Sequence, residues 1–198
     1  MSRSLVTLRC AELADAPLLA ELWTDALRRA DHQDQVADLE MIIKAAAESP
    51  EQKLVVAEYD GNFAGAVFLK VTTLSPINLE PCVQALSPHV FARFRRHGVG
   101  RTLMECAVSF AEELGIPHVA TAAASSSRDG NRFMARLALG PHATFRVAPT
   151  HAVRAKLNAQ RPAFDRVGGG RHLTQVLAAR RSQRRAQTAA TVRGPDLP

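Results

Sequence analysis

The sequence predicts an α/β domain, a mixed and mostly antiparallel sheet flanked by helices, with a basic C-terminal extension. Three observations carry that prediction. Apolar residues recur at three- and four-residue steps in separate stretches, the spacing of one buried helical face. Two β-rich runs meet across Asp60-Gly61-Asn62, where Asp-Gly takes positive φ easily and closes an antiparallel hairpin. The charge divides sharply: residues 1–156 hold 17 basic and 17 acidic side chains, and residues 157–198 hold 8 and 2. The net charge of +6 therefore belongs to a tail, residues 157–198, and residues 1–156 form a neutral domain.

The elements follow in order. Leu5-Val6-Thr7-Leu8-Arg9 alternates and reads as a strand. Asp15 is suited to accept a backbone N–H bond as an N-cap, and Pro17 is tolerated in a first helical turn. Leu18, Leu19, Leu22, Trp23, Ala26 and Leu27 then share one helical face. Val36, Leu39, Ile42 and Ile43 mark a second helix, which ends near Ser49-Pro50. The hairpin pairs Leu54 to Tyr59 with Phe63 to Leu69. Residues 72–88 are less regular, with Pro76, Pro81 and Pro88, and lead into a fourth strand. A third helix carries Leu103, Ala107, Phe110 and Leu114, and closes at Gly115 with Pro117 beyond it. His118 to Ser125 reads as a buried strand of small residues, about Gly130 to Leu139 as a fourth helix, and Ala143 to Val147 as a last strand.

Composition excludes several classes. Met1 to Pro17 holds no apolar h-region, so no secretory signal is expected, and no run approaches the ~18 apolar residues of a membrane span. Cys10, Cys82 and Cys106 are odd in number and far apart, which offers no disulfide framework and suits a reducing cytoplasm. The seven histidines form no H-x-H or H-E-x-x-H ligand spacing, and no metal is expected.

The stretch with chemical content is Phe91 to Leu103. Gly98 and Gly100 stand immediately before the third helix, and glycine lets successive N–H groups turn into one concavity. The helix N-terminus adds unpaired N–H groups and its positive dipole end. Arg93, Arg95, Arg96 and Arg101 surround it. Together these form an anion site suited to a phosphate or pyrophosphate. No Gly-Lys-Ser/Thr follows, so it is not a Walker A loop, and Leu103 stands where a dinucleotide fingerprint needs its third glycine.

Arg95-Arg96-His97-Gly98-Val99-Gly100 resembles the Arg/Gln-x-x-Gly-x-Gly/Ala loop of the GCN5-related N-acetyltransferase (GNAT) superfamily. Arg9 to Ala16 is similar to that family's first strand and helix start, and Glu58-Tyr59-Asp60-Gly61 with Gly65 to its second and third strands. The resemblance covers about residues 5–148. It implies an acetyltransferase that moves acetyl from acetyl-CoA to an amine, on a small molecule or a protein, by direct attack on the thioester. It implies that the backbone of Val90, Phe91 and Ala92 meets the pantetheine arm. Backbone N–H groups of Arg96, His97, Gly98, Val99, Gly100, Arg101 and Thr102 then hold the pyrophosphate, with Arg95 opening the motif. The fourth strand is expected to carry a bulge, with which Pro88 is compatible. The small residues Ala120, Ala122, Ala123 and Ala124 leave room for a cofactor beside the next strand, or for tight packing under a helix.

The fourth helix departs from the pattern. The family often shows Asn-x-x-Ala-x-x-x-Tyr there, and this chain aligns Ser127, Gly130 and Met134 with those positions. Ser127 is thereby a candidate cofactor contact, with Asn131 in a shifted register. Methionine cannot donate the proton that a tyrosine gives to the departing thiolate, and the one tyrosine, Tyr59, lies in the hairpin. Glu80 and His89 flank the fourth strand and are the candidates for a base. The alternative is a non-catalytic CoA-binding module of the same fold whose basic tail engages nucleic acid or a protein. In that tail Gly168 to Gly170 form a hinge, and Leu173, Val176 and Leu177 a short apolar stripe that docks on the domain or in a homodimer. Acidic residues Asp31, Asp34, Asp38 and Glu40 suit either a polycationic acceptor or a solvated helix face.

Overall fold

The hairpin is the frame of the sheet. A computed structural model of the chain describes residues 5–123 and 126–160, and in it strand β2 (Gln52–Tyr59) turns through Asp60 and Gly61 into β3 (Asn62–Thr73). Asp60 has φ 50° and Gly61 φ 73°, the paired positive values that the right-handed twist of a two-residue hairpin demands. β1 (Val6–Cys10) lies antiparallel on β2, and β4 (Pro81–Val90) antiparallel on β3. β5 (His118–Thr121) is parallel to β4, reached by the crossover helix α3 (Val99–Glu113). The order is β1-β2-β3-β4-β5, a mixed and mostly antiparallel sheet.

Both faces of the sheet are covered. The period of two in β3 sends Ala66 and Phe68 toward α1 (Ala16–Leu22) and α2 (His32–Glu48), where Leu19, Trp23, Leu39 and Ile43 are buried. Val67 and Leu69 point the other way with Val83 and Ala85, onto Val99, Leu103, Ala107 and Phe110 of α3. α3 ends as its sequence demands. Gly115, at φ 65°, donates to the Glu112 carbonyl at 3.1 Å, and Ile116 reaches back to the Ala111 carbonyl at 2.9 Å, a Schellman close.

Several sequence expectations are corrected. α1 stops at Leu22, not at Leu27, because the Thr24 hydroxyl donates to the Ala20 and Glu21 carbonyls and competes with the helical ladder. Asp15 precedes α1, but its carboxylate is taken by Arg9 and the Glu12 N–H and does not cap that helix. α4 (Arg128–Arg136) begins and ends earlier than expected, stopped by Ala138 at φ 61°. β5 is four residues long and half-buried rather than buried. The strand expected at Ala143 to Val147 does not form: Phe145 and Val147 are 94% and 92% exposed, and β propensity without a paired neighbour does not hold a strand.

Residues up to Pro141 make one compact unit, and residues from His142 belong to a second whose described element is α5 (Thr150–Gln160), a helix the sequence reading did not predict. The glycine hinge and the Leu173 stripe lie outside the described residues, as do Ala124 and Ser125. Among the described residues no helix is long and apolar enough to cross a membrane.

Gly65 fixes how closely β3 and β4 approach. A Cβ there would stand 2.5 Å from the His89 carbonyl oxygen and 3.2 Å from the Val90 Cα, both backbone atoms that cannot swing away. Gly65→Ala is therefore expected to push the end of β4 outward and to cost about 2 kcal/mol. Urea denaturation checks this; an unchanged midpoint and slope would show that the strand end yields freely.

Candidate active site

The site is built at the C-terminal end of β4, where the strand loses its regularity. Against β3, Ala66 pairs with His89 but Phe68 pairs with Leu86, so β4 carries one residue too many across Ser87 and Pro88. Ser87 takes φ 47°, unusual for a residue with a side chain. Its carbonyl is held from the opposite layer: the Trp23 indole N–H donates to it at 2.9 Å. The expected bulge is present, and the bond to Trp23 is what the sequence could not announce.

Beyond the bulge β4 parts from β5. Their ladder covers Cys82 to Ala85 against His118 to Thr121, and the Thr121 hydroxyl closes it by donating to the Ala85 carbonyl at 2.8 Å. From Leu86 to Val90 the side of β4 toward β5 has no ladder partner among the described residues. On the other side the Phe91 N–H still reaches the Ala64 carbonyl at 2.9 Å, so Val90 and Phe91 are fixed in place along an open edge.

The loop that follows is tightly wound. A single 3-10 turn spans Ala92–Phe94, then Arg96 takes φ 65° and Gly98 φ 86°. Two left-handed residues so close together gather neighbouring N–H groups onto one concave side. Gly98 is the N-cap of α3, and the first helical bond runs from the Thr102 N–H to the Gly98 carbonyl at 3.0 Å. The N–H groups of Val99, Gly100 and Arg101 precede that bond and have no intrahelical acceptor. No acidic residue stands in the first turn of α3 to take them. A Cβ built at Gly98 would meet nothing within 4 Å, so the concavity is open.

The loop is braced by its own side chains. The Tyr59 ring meets the His97 ring edge-on at 4.8 Å and Phe94 at 6.0 Å. His97 Nδ1 lies 2.8 Å from the Arg95 carbonyl, which only accepts, so Nδ1 carries the hydrogen. The four arginines do not act alike. Arg93 lies over the rings of Phe91 and Phe94 at 5.3 and 5.0 Å, and Arg101 is paired with Glu105 at 2.8 Å. Arg95 Nε reaches the Val90 carbonyl at 3.4 Å, across the mouth of the open edge.

α4 closes the other side of Gly100. A Cβ at Gly100 would lie 3.7 Å from both the Phe133 ring and the Val90 side chain, which places α4, the start of α3 and the end of β4 together. Ser127 caps α4 with its hydroxyl accepting from the Gly130 N–H at 3.2 Å, and Asn131 Nδ2 donates to the Ser127 carbonyl at 2.7 Å. Met134 is buried.

Val90 to Ala92 and Arg95 to Thr102 follow directly on the bulge, and of the two candidate bases His89 stands there while Glu80 does not. Glu80 precedes β4 at the end remote from the loop; seven residues at about 3.3 Å each put it on the order of 20 Å from Ser87. Its neighbour there is His118 at 3.6 Å. His89 is exposed and stands within the irregular stretch itself. Burial pushes the thiols of Cys82 and Cys106 above the ordinary range, so neither is a ready nucleophile. Among the described residues no cluster of three or more His, Cys, Asp or Glu side chains gathers at a metal-binding distance.

A bulged and splayed β4, followed by an N–H-lined loop at the head of a crossover helix, has counterparts among known proteins. The family model described as the acetyltransferase (GNAT) family matches residues 16–139, which span all of this machinery. The chain belongs to the GNAT acetyltransferase family. No curated protein matches it in sequence. Solved structures share the GNAT fold at low identity. A transcriptional regulator from Bacillus halodurans C-125 is 17% identical with TM-score 0.62, over 73% of this chain and 99% of that one. An aminoglycoside N-acetyltransferase in complex with CoA is 14% identical with TM-score 0.61, over 76% and 98%. Glucosamine-6-phosphate N-acetyltransferase from Arabidopsis thaliana is 15% identical with TM-score 0.56, over 73% and 98%. The GNAT reading of Arg95-x-x-Gly98-x-Gly100 is thereby carried by the whole domain.

Proposed function

We propose that this GNAT protein transfers the acetyl group of acetyl-CoA to an amine. The observation that carries the reading is the open concavity made by Arg96 and Gly98 at positive φ against the unpaired N–H groups of Val99, Gly100 and Arg101. Those donors fit a pyrophosphate, a diffuse dianion best met by several fixed dipoles at a helix N-terminus. The open edge of β4 from Val90 to Ala92 then offers backbone groups to the amides of the pantetheine arm. The thioester supplies an activated acetyl carbon, and the irregular stretch at Ser87 to His89 is where that carbon would lie.

The chain's own contribution is positioning. The amine arrives neutral, its lone pair forms the C–N bond, and the C–S bond breaks with its electron pair going to sulfur. The nitrogen loses one proton and the thiolate gains one, so the products are an amide and a thiol. Holding both partners against β4 supplies much of the rate. His89 stands beside the bulge and is the candidate to take the proton through water, a role Glu80 is too distant to share. The aminoglycoside and glucosamine-6-phosphate N-acetyltransferases among the structural neighbours support an amine acceptor in general.

A second reading rests on Met134, which stands where the family often has its tyrosine and is buried. On that reading the chain binds CoA without catalysis and engages a partner through its basic tail. Calorimetric titration with acetyl-CoA, followed by chromatographic detection of CoA release in an amine panel, decides between them. Binding with steady amine-dependent release is the expected result; binding without release favours the second reading, and no binding overturns both.

A further inference from the structure

A cavity lies against the bulge on the side of the helices. Between the segment that follows α1, α2 and the β3–β4 pair lies a space of about 250 Å³, a little under the ~300–1,000 Å³ of sites for drug-sized ligands. Its walls are Trp23, Leu27, Leu39, Ile42, Phe68 and Leu86, and its two polar residues are Gln52 and Ser87. Ser87 is the positive-φ residue of the bulge, so the cavity opens against the same backbone where the acetyl carbon would lie. The acidic residues that would greet a polycation stand outside the cavity lining. Asp31 caps α2 by accepting the Asp34 N–H at 2.8 Å, Asp38 is paired with Arg28 at 2.6 Å, and none of Asp31, Asp34, Asp38 and Glu40 lines the cavity.

We propose that the acceptor is a small primary amine on an uncharged apolar body, an arylalkylamine, whose body fills this cavity and whose nitrogen faces the Ser87 end. The inference rests on the acetyltransferase reading above and adds its substrate class. An apolar body gains by leaving water for these walls, whereas a second ammonium or a ring of hydroxyls meets only Gln52 and Ser87 as polar residues there. The apolar lining also favours the neutral form of the amine, the form that attacks a thioester.

Trp23 is the one tryptophan in the chain, and it lines the cavity, so its fluorescence reports occupancy whether or not turnover occurs. The experiment uses the full chain with 2-phenylethylamine, spermidine and kanamycin as probes, excited at the red edge of tryptophan absorption. Expected is a saturable change with 2-phenylethylamine and none with the other two, and kcat/KM at least tenfold higher for 2-phenylethylamine. Ala45 also lines the cavity from an exposed position on α2, so Ala45→Phe fills it at little risk to folding. That variant is expected to weaken the fluorescence response at least tenfold and to leave acetyl-CoA affinity unchanged. Gly98→Glu separates the two readings, weakening acetyl-CoA binding about 100-fold while the response to 2-phenylethylamine persists. A saturable response to spermidine or kanamycin, or none to 2-phenylethylamine, would overturn the proposal even if acetyl-CoA binds.

Discussion

Replacing Gly98 by glutamate is expected to weaken acetyl-CoA binding by about 100-fold, roughly 3 kcal/mol. Two effects add. At φ 86° any side chain carries the left-handed penalty, on the order of 1–2 kcal/mol. The carboxylate would also stand in the concavity that would receive a pyrophosphate, where like charges repel and the N–H donors of Val99 to Arg101 are already satisfied by the new side chain. Gly98→Asn separates them, because asparagine visits the left-handed region at small cost and carries no charge. Its affinity is expected to fall by about tenfold or less. Calorimetric titration of both variants, with thermal melts to show that α3 still forms, checks the ranking. Equal losses for Asn and Glu would mean that the loop acts through its shape alone, and wild-type affinity for Gly98→Glu would remove the loop from the site.

Features fixed by neighbours in sequence were legible. Asp60-Gly61 closes its hairpin, Gly115 ends α3, and Gly98 opens it, because positive φ is a local demand that glycine answers locally. Pro88 likewise signalled an irregular strand. What the sequence could not place were effects set by residues far along the chain. The residue that takes positive φ in the bulge is Ser87, and Trp23, 64 positions away, holds it; in the pattern of helix one Trp23 was only another apolar step. Gly65 looked like a hairpin glycine, yet its lack of a side chain matters because β4 passes within contact of it. The apolar cavity is invisible in sequence for the same reason, since its walls come from four separate elements.

Composition counts residues without their partners, and the structure supplies the partners. Of the four arginines around two glycines, Arg93 lies over aromatic rings and Arg101 is paired with Glu105. In the acidic run from Asp31 to Glu40, Asp31 caps α2 and Asp38 pairs with Arg28. Alternation at Ala143 to Val147 suggested a strand and is exposed. Each signal was real as chemistry, and tertiary structure decided what it met.

Arg9→Ala is expected to produce the largest loss of stability, about 3 kcal/mol at pH 7. Arg9 grips both oxygens of Asp15 at 2.7 and 2.8 Å and also donates to Glu58 at 2.7 Å, tying β1, the start of α1 and β2 together. Asp15 is buried, and without Arg9 its charge keeps only the Glu12 N–H at 2.7 Å. Burial alone would push the Asp15 carboxyl up, but the bonds from Arg9 and Glu12 outweigh it and hold the group below its ordinary 3.8. A carboxyl lowered by folding stabilises fully above that value, and its contribution fades as pH falls below 3.8 through the folded value. In Arg9→Ala the sign reverses, because the buried carboxyl now prefers its proton and the variant gains as pH falls. The two stability curves are therefore expected to lie furthest apart near neutrality and to converge below about pH 4. Asp15→Asn, with no proton to lose, is expected to cost about 2 kcal/mol at pH 7 and to lack the acid-side slope. Urea denaturation across pH 3–8 checks all three; parallel curves would assign the loss to the packing of the Arg9 stem. The bonds of Arg9 reach Asp15, Glu58 and Cys10 and none of the loop at Gly98, so folded Arg9→Ala is expected to keep its acetyl-CoA affinity.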